Sequence, residues 1–423
     1  MNNQVVEPKW YKTINKVQRN ALIGGMGGWM LDAMDVLLYV MSLTSIMKEF
    51  NIDTAIAGLL ASVTLFSSAI GGIVFGIVAD YFGRKKALAG AVAIYTVFTG
   101  LSGIATSVTE LAIYRTLLGL GMGGTWASGA LLVSETWPKE HRGKASGFMQ
   151  GGWALGYMMA AALSGAILPV YGWRVLFFVG VVPSVLMFLF IVFYTQEPEL
   201  WLTNKKTKAA APVVQKTGDG FTFFQIFKPD LLRFTVIGAI FVSFVQLGYW
   251  GLFTWLPGFL STPLEKGGAG LNIVKTAGWV FAMQIGALIG YNSFGFVADH
   301  YGRKRAFTIF LVIAAILVPV YGSLRDPFYL FLLGPLVGLF GSGYFSGFGA
   351  FLAELFPTRV RGTAQGFVYN FGRGVSALAP FIIGTLAKTF GIGTSLFVTS
   401  AFFIGGVITV AFLPETKGKV LDD

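Results

Sequence analysis

Four charged side chains interrupt long apolar runs of the sequence, and these residues are the best placed to do chemistry. Asp32, Asp35, Arg115 and Arg373 each stand within a predominantly apolar stretch of about 20 residues, the length that crosses a hydrocarbon core. Ionised groups are costly in hydrocarbon, so charges at such positions mark pathways for protons, ions or charged substrates. The sequence therefore indicates that these four residues carry function.

Asp32 and Asp35 are three residues apart, which puts both carboxyl groups on one helix face about one turn apart. Two carboxylates so close in a poorly solvated place do not both ionise readily, so one is expected to hold a proton near neutral pH. Arg115 keeps its charge at any physiological pH and can neutralise the deprotonated partner. We predict that the three residues form a proton-coupling group. The alternative is a purely structural ion pair between one aspartate and Arg115, and the spacing leaves open which aspartate titrates.

Arg373 lies between two glycines, which allow a close approach of neighbouring groups. A buried guanidinium needs an anion, and a substrate carboxylate can accept two parallel hydrogen bonds from it. The alternative is a structural pair with an aspartate of the first apolar run or with Glu354. We predict that Arg373 binds the carboxylate of a substrate.

Polar and aromatic side chains near the middle of other apolar runs are expected to line a cavity around these charges, although helix packing explains each of them equally well alone. The predicted substrate-binding residues besides Arg373 are Gln246, Tyr249, Trp250, Gln284, Tyr344, Tyr369 and Asn370, with Gln150 and Asn292 as further candidates. The chain has no cysteine, and its two histidines fall in predicted loops. The sequence therefore predicts no metal site and no cofactor, and it shows no pattern typical of an enzyme.

The elements that must position these residues are membrane-spanning helices. Hydrophobic residues make up 55% of the chain, charged residues 12%, and the mean hydropathy is +0.69, whereas a soluble domain has about a quarter of its residues charged. We predict an all-α membrane protein with twelve transmembrane helices. The predicted spans are 21–47, 54–79, 87–107, 110–134, 144–169, 173–194, 231–260, 272–298, 306–323, 327–353, 363–388 and 392–413.

The distribution of basic residues predicts the orientation. The segments on the side of both termini carry 23 Lys and Arg residues, and the loops on the other side carry six. Positive residues favour the cytoplasmic side, so both termini are expected in the cytoplasm, with the chain in the plasma membrane (in bacteria, the inner membrane). The first apolar run is interpreted as the first span rather than as a signal peptide. The net charge of +11 does not indicate nucleic-acid binding, because the basic residues form short clusters between apolar runs.

Two motifs recur with one offset of 219 residues. The segment 76–85 (Gly-x-x-x-Asp-x-x-Gly-Arg-Lys) returns at 295–304, and the segment 135–143 (Glu-x-x-Pro-x-x-x-Arg-Gly) returns at 354–362. Two motifs in one register indicate a duplication. The predicted domains are a first six-helix bundle at 1–194, a cytoplasmic linker at 195–230 and a second six-helix bundle at 231–423. The four buried charges have no counterparts at this offset, so each repeat carries its own chemistry.

The acidic and basic residues of these motifs are predicted to pair across helix ends and to act as a conformational latch. The alternative is that the basic ones are only positive-inside anchors. The latch residues are Asp80, Arg84, Glu135 and Arg142 in the first repeat, and Asp299, Arg303, Glu354 and Arg361 in the second.

The duplicated motifs, together with Arg115-x-x-x-Gly119, resemble the major facilitator superfamily over essentially the full chain. The resemblance implies two pseudo-symmetric six-helix bundles around a central cavity that opens alternately to each side, and a monomer. Asp32-Ala-Met-Asp35 is similar to a segment of the sialate, lactate and aromatic-acid proton symporters. The stretch 249–257 resembles nicotinate-type carriers, and Trp137-Pro138 with 172–174 resembles the sialate/lactate group. Arg373 is similar to an arginine of organic-anion carriers and departs from sialate carriers.

These resemblances predict proton-coupled symport of a small organic anion by alternating access. The expected substrates are a monocarboxylate such as lactate or pyruvate, or an aromatic or sugar acid. The expected partners are this carboxylate, protons and the lipid bilayer, without nucleic acid. One alternative is a proton-coupled sugar or polyol symporter, in which Arg373 is structural. Another is an organic-cation or drug antiporter, in which the aspartates bind the cation, although Arg373 would repel it.

Overall fold

A computed structural model describes residues 14–199, 201–203, 222–357 and 360–417, without the side chains of residues 139, 140, 142–144 and 222. All regular structure in these ranges is helical, which confirms the predicted all-α fold. Most of the predicted linker and the side chain of Arg142 lie outside the described residues. The division into domains at 194 and 231 therefore stays a prediction.

The helices are long and follow one another with short connections. Their bounds are α1 Lys16–Phe50, α2 Thr54–Phe82, α3 Arg84–Ile104, α4 Val108–Thr136, α5 Lys139–Tyr194, α6 Thr222–Gln225, α7 Pro229–Ser261, α8 Ile273–Tyr301, α9 Arg303–Ser323, α10 Pro327–Ser342, α11 Phe345–Leu355, α12 Arg361–Ser376, α13 Leu378–Phe390, α14 Ile392–Ser395 and α15 Phe397–Ala411. A single 3₁₀ turn, Leu264–Lys266, follows α7.

Twelve crossings account for these helices. Ten helical stretches in the described ranges are each long and apolar enough to span a membrane. One of them, α5, contains two predicted spans, and its backbone breaks at Gly172, where φ is +77°. The predicted eleventh span is divided at Ala377 into α12 and α13, each too short to cross alone. The twelve-helix interpretation is thereby confirmed.

Local sequence signals set the helix ends. The side chain of Asn15 accepts a hydrogen bond from the Gln18 N–H group at 2.8 Å and completes a capping box at the start of α1. At the other end of α1, Asn51 takes the left-handed conformation with φ of +50°. Asp53 then caps α2 by accepting from the Ile56 N–H group at 3.0 Å. These caps satisfy backbone groups that a helix end leaves unpaired, and they allow a sharp reversal.

The duplication is visible in the packing as well as in the motifs. In the first repeat (the described residues between 14 and 203), α2 crosses α4 where Gly119 meets the Thr64 carbonyl. In the second repeat (222–417), α8 crosses α10 where Gly338 meets the Met283 carbonyl. A Cβ atom at either glycine would overlap that carbonyl. Small residues at helix crossings are typical of membrane proteins, and both pairs are related by the same offset of 219 residues.

Two faces of the molecule are named by their connections. The terminal face carries the α2–α3, α4–α5 and α8–α9 turns and the described chain ends. The opposite face carries the α1–α2, α7–α8 and α9–α10 connections. Between the two faces, both repeats enclose a central cavity.

Candidate functional site

The central cavity has about 360 Å³ of empty space and is bounded by side chains from both repeats. Seven of its nine lining residues are aromatic, and the other two are Gln150 and Arg373. The aromatic residues are Trp29 of α1, Trp153 of α5, Tyr249 and Trp250 of α7, Tyr291 of α8, Phe345 of α11 and Tyr369 of α12.

Several polar atoms of the aromatic wall already have partners. The Trp153 indole N–H donates to the Tyr249 hydroxyl at 2.7 Å, which joins the two repeats. The Gln150 side-chain oxygen accepts from the Trp126 indole at 3.1 Å. Trp126 also stacks on Tyr369, with ring centroids 4.8 Å apart. The wall therefore offers flat apolar surface and few free hydrogen-bonding groups.

Arg373 is the exception, because its charge is buried and incompletely bonded. The residue is 2% exposed, and its Nε and Nη1 groups have no hydrogen-bond partner. Its Cζ atom lies 6.0 Å from the centroid of the Trp29 ring and 5.7 Å from that of Tyr369. Leaving the N–H groups of a buried cation unpaired is costly, so this corner of the cavity is suited to an anion. The close approach predicted beside Arg373 occurs at Gly372, which packs on the backbone of α7 at Val242.

Asp35 and Arg115 form an ion pair deep in the first repeat. The Arg115 Nη1 atom lies 3.2 Å from Asp35 Oδ2, and the Thr99 hydroxyl donates to Asp35 Oδ1 at 2.5 Å. The Arg115 guanidinium also lies over the Tyr39 ring, 4.4 Å from its centroid. All these groups are buried. The fixed pairing that the sequence left as an alternative is therefore present for Asp35.

Asp32 has a different environment, although it is one turn away on the same helix. It is fully buried, and neither carboxyl oxygen has a hydrogen-bond partner. It lies three residues from Trp29, which lines the cavity, so both side chains share a face of α1. Among the described residues, no ion pair joins Asp32 to Arg115 or to Arg373.

A second cavity, with about 270 Å³ of empty space, lies between α1, α2, α4 and α7. Ala61 and Arg115 are among its lining residues, and Trp250 borders both cavities. Its position two turns from the ends of α2 and α4 places it between the central cavity and the opposite face.

Only part of the predicted substrate-binding set lines the central cavity. Tyr249, Trp250, Tyr369 and Arg373 do, as does the further candidate Gln150. The predicted residues that lie outside the lining are Gln246, Gln284, Tyr344, Asn370 and Asn292.

Hydrogen bonds account for the positions of three of the predicted residues that lie outside the lining. The Gln246 amide donates to the Tyr369 carbonyl at 3.0 Å, so it supports the wall from behind. Asn370 and Asn292 donate to carbonyls one turn back in their own helices, those of Gly366 and Leu288. Gln284 and Tyr344 are buried between helices.

Four lining aromatic residues, Trp29, Trp153, Tyr291 and Phe345, were not among the predicted residues. Trp29 was within reach of sequence reasoning, because it stands one helical turn from Asp32.

At the terminal face, each repeat assembles the predicted ionic cluster. Arg84 bonds both oxygens of Glu135, at 3.0 and 2.8 Å, and lies 3.1 Å from Asp80. In the second repeat, Arg303 pairs with Glu354 at 3.2 Å and with Asp299. The last latch residue, Arg361, donates to the carbonyls of α11 and its C-terminus, at Ala353 and Phe356.

Each cluster contains a further acid that the sequence did not point out. Glu197 accepts hydrogen bonds from the first N–H groups of α3, those of Lys85 and Lys86, at 3.1 and 3.2 Å. Glu415 accepts from the first N–H groups of α9, those of Arg303 and Lys304, at 2.8 and 3.2 Å. A carboxylate at a helix N-terminus complements the helix dipole. Burial raises the pKa of Glu415, but bonds from four backbone N–H groups outweigh it and hold the pKa below its ordinary value.

At the opposite face, three contacts run between the repeats. Asp53 and Lys388 form an ion pair of 2.6 Å, and the Thr54 hydroxyl donates to the Gly384 carbonyl at 2.6 Å. Gly58 of α2 packs so closely on the Pro380 carbonyl of α13 that an added Cβ would overlap it. This end of the cavity is therefore sealed by direct packing of α2 on α13.

Twelve membrane-crossing segments, duplicated in sequence and packing around a central cavity, define a multi-pass membrane transporter. The chain belongs to the Major Facilitator Superfamily, whose sequence pattern matches residues 23–274 and 268–421. Members of this family are transporters, and the chain is accordingly not an enzyme.

Several proteins of similar sequence are named as carriers of small metabolites. It is 35% identical over 412 residues to a Haemophilus influenzae protein named as a metabolite transport protein, with 97% of this chain and 99% of that one covered. It is 33% identical to the cis,cis-muconate transport protein of Acinetobacter baylyi, with 92% of each chain covered. It is also 33% identical to the sialic acid transporter NanX of Escherichia coli, with 97% of each covered.

Solved structures support the fold. The xylose transporter XylE of Escherichia coli, in a partially occluded inward-open conformation, superposes with a TM-score of 0.77 at 19% identity, covering 96% of this chain and 100% of that chain.

Proposed function

We propose that the protein is a proton-coupled symporter of a small, planar organic anion such as an aromatic or unsaturated carboxylic acid. The observation that carries this proposal is the buried Arg373 guanidinium, which has two unpartnered N–H groups at the wall of an aromatic cavity. A carboxylate can accept a charge-assisted hydrogen bond from such a group.

The cavity wall favours a planar acid over a hydroxyl-rich one. Seven aromatic rings provide surfaces on which a conjugated substrate can pack. The Gln150 side-chain oxygen, the Tyr249 hydroxyl and the Trp153 indole N–H already bond to other side chains, so the many hydroxyl groups of a sugar acid would find few partners. The cis,cis-muconate transported by the Acinetobacter relative is a conjugated acid of the favoured kind.

Proton coupling is supported by the two buried carboxyl groups of α1. Asp32 and Asp35 are both buried within α1, where a charge is costly. One proton carried with one monocarboxylate makes the loaded carrier electrically neutral with respect to its cargo. Uptake of a monocarboxylate should therefore follow the pH gradient and respond weakly to the membrane potential.

The orientation and the state of the molecule belong to the same proposal. The excess of Lys and Arg supports a cytoplasmic location of the terminal face, and the bacterial relatives support a bacterial inner membrane. The opposite face, where α2 packs on α13, would then face outward. In the proposed cycle, the two repeats rock about the cavity and open it to each side in turn.

Uptake into proteoliposomes tests the proposal. Labelled benzoate, nicotinate, lactate, sialate and glucose are compared with and without an inward proton gradient, in the wild type and in Arg373→Ala. We expect gradient-stimulated uptake of benzoate or nicotinate that Arg373→Ala abolishes and that Arg19→Ala, at an exposed position of α1, leaves intact.

Two results would overturn the proposal. Uptake of glucose in preference to every acid would establish the sugar-symporter alternative. Acid uptake that is indifferent to Arg373 would remove the assigned anion site.

A further inference from the structure

The two aspartates of α1 differ in their hydrogen bonds and ion pairs, and this difference suits them to different roles. We propose that Asp32 alone carries the coupling proton and that, when deprotonated, it competes with the substrate carboxylate for Arg373, while Asp35 is a positioning residue for Arg115. The inference rests on the proposed anion symport and deepens it, because it names the group that links proton to substrate.

Asp35 lacks the freedom that a proton carrier needs. Each of its oxygens is bonded, one to the Thr99 hydroxyl at 2.5 Å and the other to Arg115 at 3.2 Å. These bonds stabilise the ionised carboxylate, and its departure would leave a buried arginine unpaired, which is strongly unfavourable. Asp35 thus remains charged through the cycle and holds Arg115 in place.

Asp32 has no such support. Neither of its oxygens is bonded and none of its surface is exposed. A buried carboxyl group without hydrogen bonds is more stable when it is protonated, so Asp32 is neutral in this conformation. Charged and titratable groups face it from four helices besides its own. Arg373 of α12 exerts the strongest attraction, Asp35 of α1 repels, and Arg115 of α4 attracts more weakly. Tyr95 of α3 and Tyr157 of α5 also interact electrostatically with Asp32.

Arg373 and Asp32 both have buried polar atoms without hydrogen-bond partners, donors on Arg373 and acceptors on Asp32. The guanidinium has two unpartnered N–H groups, and the carboxyl group has two unpartnered oxygens. Trp29, one turn from Asp32 on the same face of α1, lies 6.0 Å from the guanidinium carbon. Arg373 therefore lies near the face of α1 that carries Asp32, at the wall where a substrate carboxylate would bind.

Competition for one guanidinium provides the coupling. When Asp32 is protonated, Arg373 is free to bind the substrate carboxylate. When the proton leaves Asp32 for water in the cavity, the new carboxylate attracts Arg373 and weakens its hold on the substrate. The proton and the anion consequently leave on the same side, and no covalent bond is made or broken.

Isosteric variants of the two aspartates test the division. Labelled benzoate and nicotinate serve as probes, and equilibrium binding at pH 6 and pH 8 is measured beside gradient-driven accumulation. Wild-type affinity should fall about tenfold or more between the two pH values, since each pH unit above the relevant pKa lowers the protonated fraction of the acid about tenfold. In Asp32→Asn, binding should become independent of pH and accumulation should be lost, while exchange of internal for external substrate continues. In Asp35→Asn, the pH dependence of binding should persist although transport is slower.

Two outcomes would overturn the inference, and a third would remove its basis. Accumulation retained in Asp32→Asn, or a pH dependence lost in Asp35→Asn and kept in Asp32→Asn, contradicts the assignment. If the Asn variant of Asp32 does not fold, Asp32→Ser repeats the comparison with another uncharged polar side chain. If the wild type takes up no acid at either pH, the proposed function itself fails, and this inference with it.

Discussion

The two faces of the molecule are stabilised by different kinds of contact. At the terminal face, the described ion pairs of Arg84 and Arg303 all join residues of the same repeat. At the opposite face, Asp53, Thr54 and Gly58 each contact the other repeat, beside the Arg174–Glu49 ion pair within the first repeat. One face thus shows braces within each bundle, and the other includes a joint between them.

This difference predicts which contacts change in the proposed alternating-access cycle. Glycines near the terminal face, such as Gly76 of α2 and Gly349 of α11, have open space where a Cβ would be, whereas Gly58 and Gly384 at the opposite face have none. The joint must break for the opposite face to open, and the braced clusters can move as rigid ends. In this conformation the clusters stiffen each repeat, and their role as a conformational latch stays a prediction.

The largest effect is expected from wedging the joint open. In Gly58→Leu the new side chain would overlap the Pro380 carbonyl, and backbone cannot move aside cheaply. The opposite face should fail to close, and uptake should fall by about tenfold or more, the factor that corresponds to about 1.4 kcal/mol of lost closed state.

Labelling of a single cysteine reports the opening directly. The chain has no cysteine, so Ala61→Cys in the second cavity can be alkylated without background. Labelling from the opposite face should be faster in Gly58→Leu than in the parent. Gly278→Leu is the matched control, because a Cβ at Gly278 meets no atom within 4 Å. Equal labelling in the two leucine variants would mean that α2 and α13 do not form the seal.

An intermediate effect is expected from removing a brace. Arg84→Ala leaves Glu135 half-buried without the two bonds of 2.8 and 3.0 Å, and a hydrogen bond to a charged group contributes about 2 kcal/mol. Thermal unfolding in detergent should shift to lower temperature. Arg303→Ala is the natural comparison and should cost less, because its bonds to Glu354 are longer, at 3.2 to 3.4 Å. An equal or larger loss in Arg303→Ala would show that bond length does not rank the two braces.

The smallest effect is expected at the exposed part of the joint. The Lys388 ammonium group and the Ile56 N–H group hold the pKa of Asp53 below its ordinary value, so the ion pair stabilises the closed joint above pH of about 4 and is lost as pH falls further. Both side chains are more than a third exposed, and such pairs contribute less than about 1 kcal/mol.

Lys388→Ala should therefore speed the labelling of Ala61→Cys by less than about fivefold. High salt should reduce the difference between variant and parent, because salt screens exposed charges. A labelling rate that is unchanged at low salt would indicate that the pair adds nothing to the seal.

The elements could be predicted from the sequence because the bilayer fixes their length and the duplication fixes their register. The four buried charges were predictable for a related reason, since a charge within an apolar run is conspicuous. The division between Asp32 and Asp35 was not predictable, because it depends on Thr99 and Arg115, which other helices bring to Asp35. Gln246 was assigned to the cavity and lies behind it, because a helix that is apolar on all sides does not show which face is inward.

Glu197 and Glu415 were missed for a different reason. Each looks like an ordinary charge in a polar segment, and its partners are the backbone N–H groups of a helix more than 100 residues earlier in the chain. No spacing rule connects positions that far apart. The turn glycines Gly83 and Gly302, in contrast, were identified by the motif, and both have positive φ, +111° and +99°.

Because Glu197 and Glu415 lie far apart in the sequence, the two repeats are completed at different times during biosynthesis. The brace of the first repeat is complete once Glu197 has been added to the chain, but that of the second repeat waits for Glu415, roughly 220 residues later. At typical synthesis rates this is a delay of about 10 to 45 seconds. The first bundle can thus rest in the bilayer as a finished unit while the second is still being inserted. A nascent chain stalled before Glu415 would leave the start of α9 uncapped and exposed to quality-control proteases.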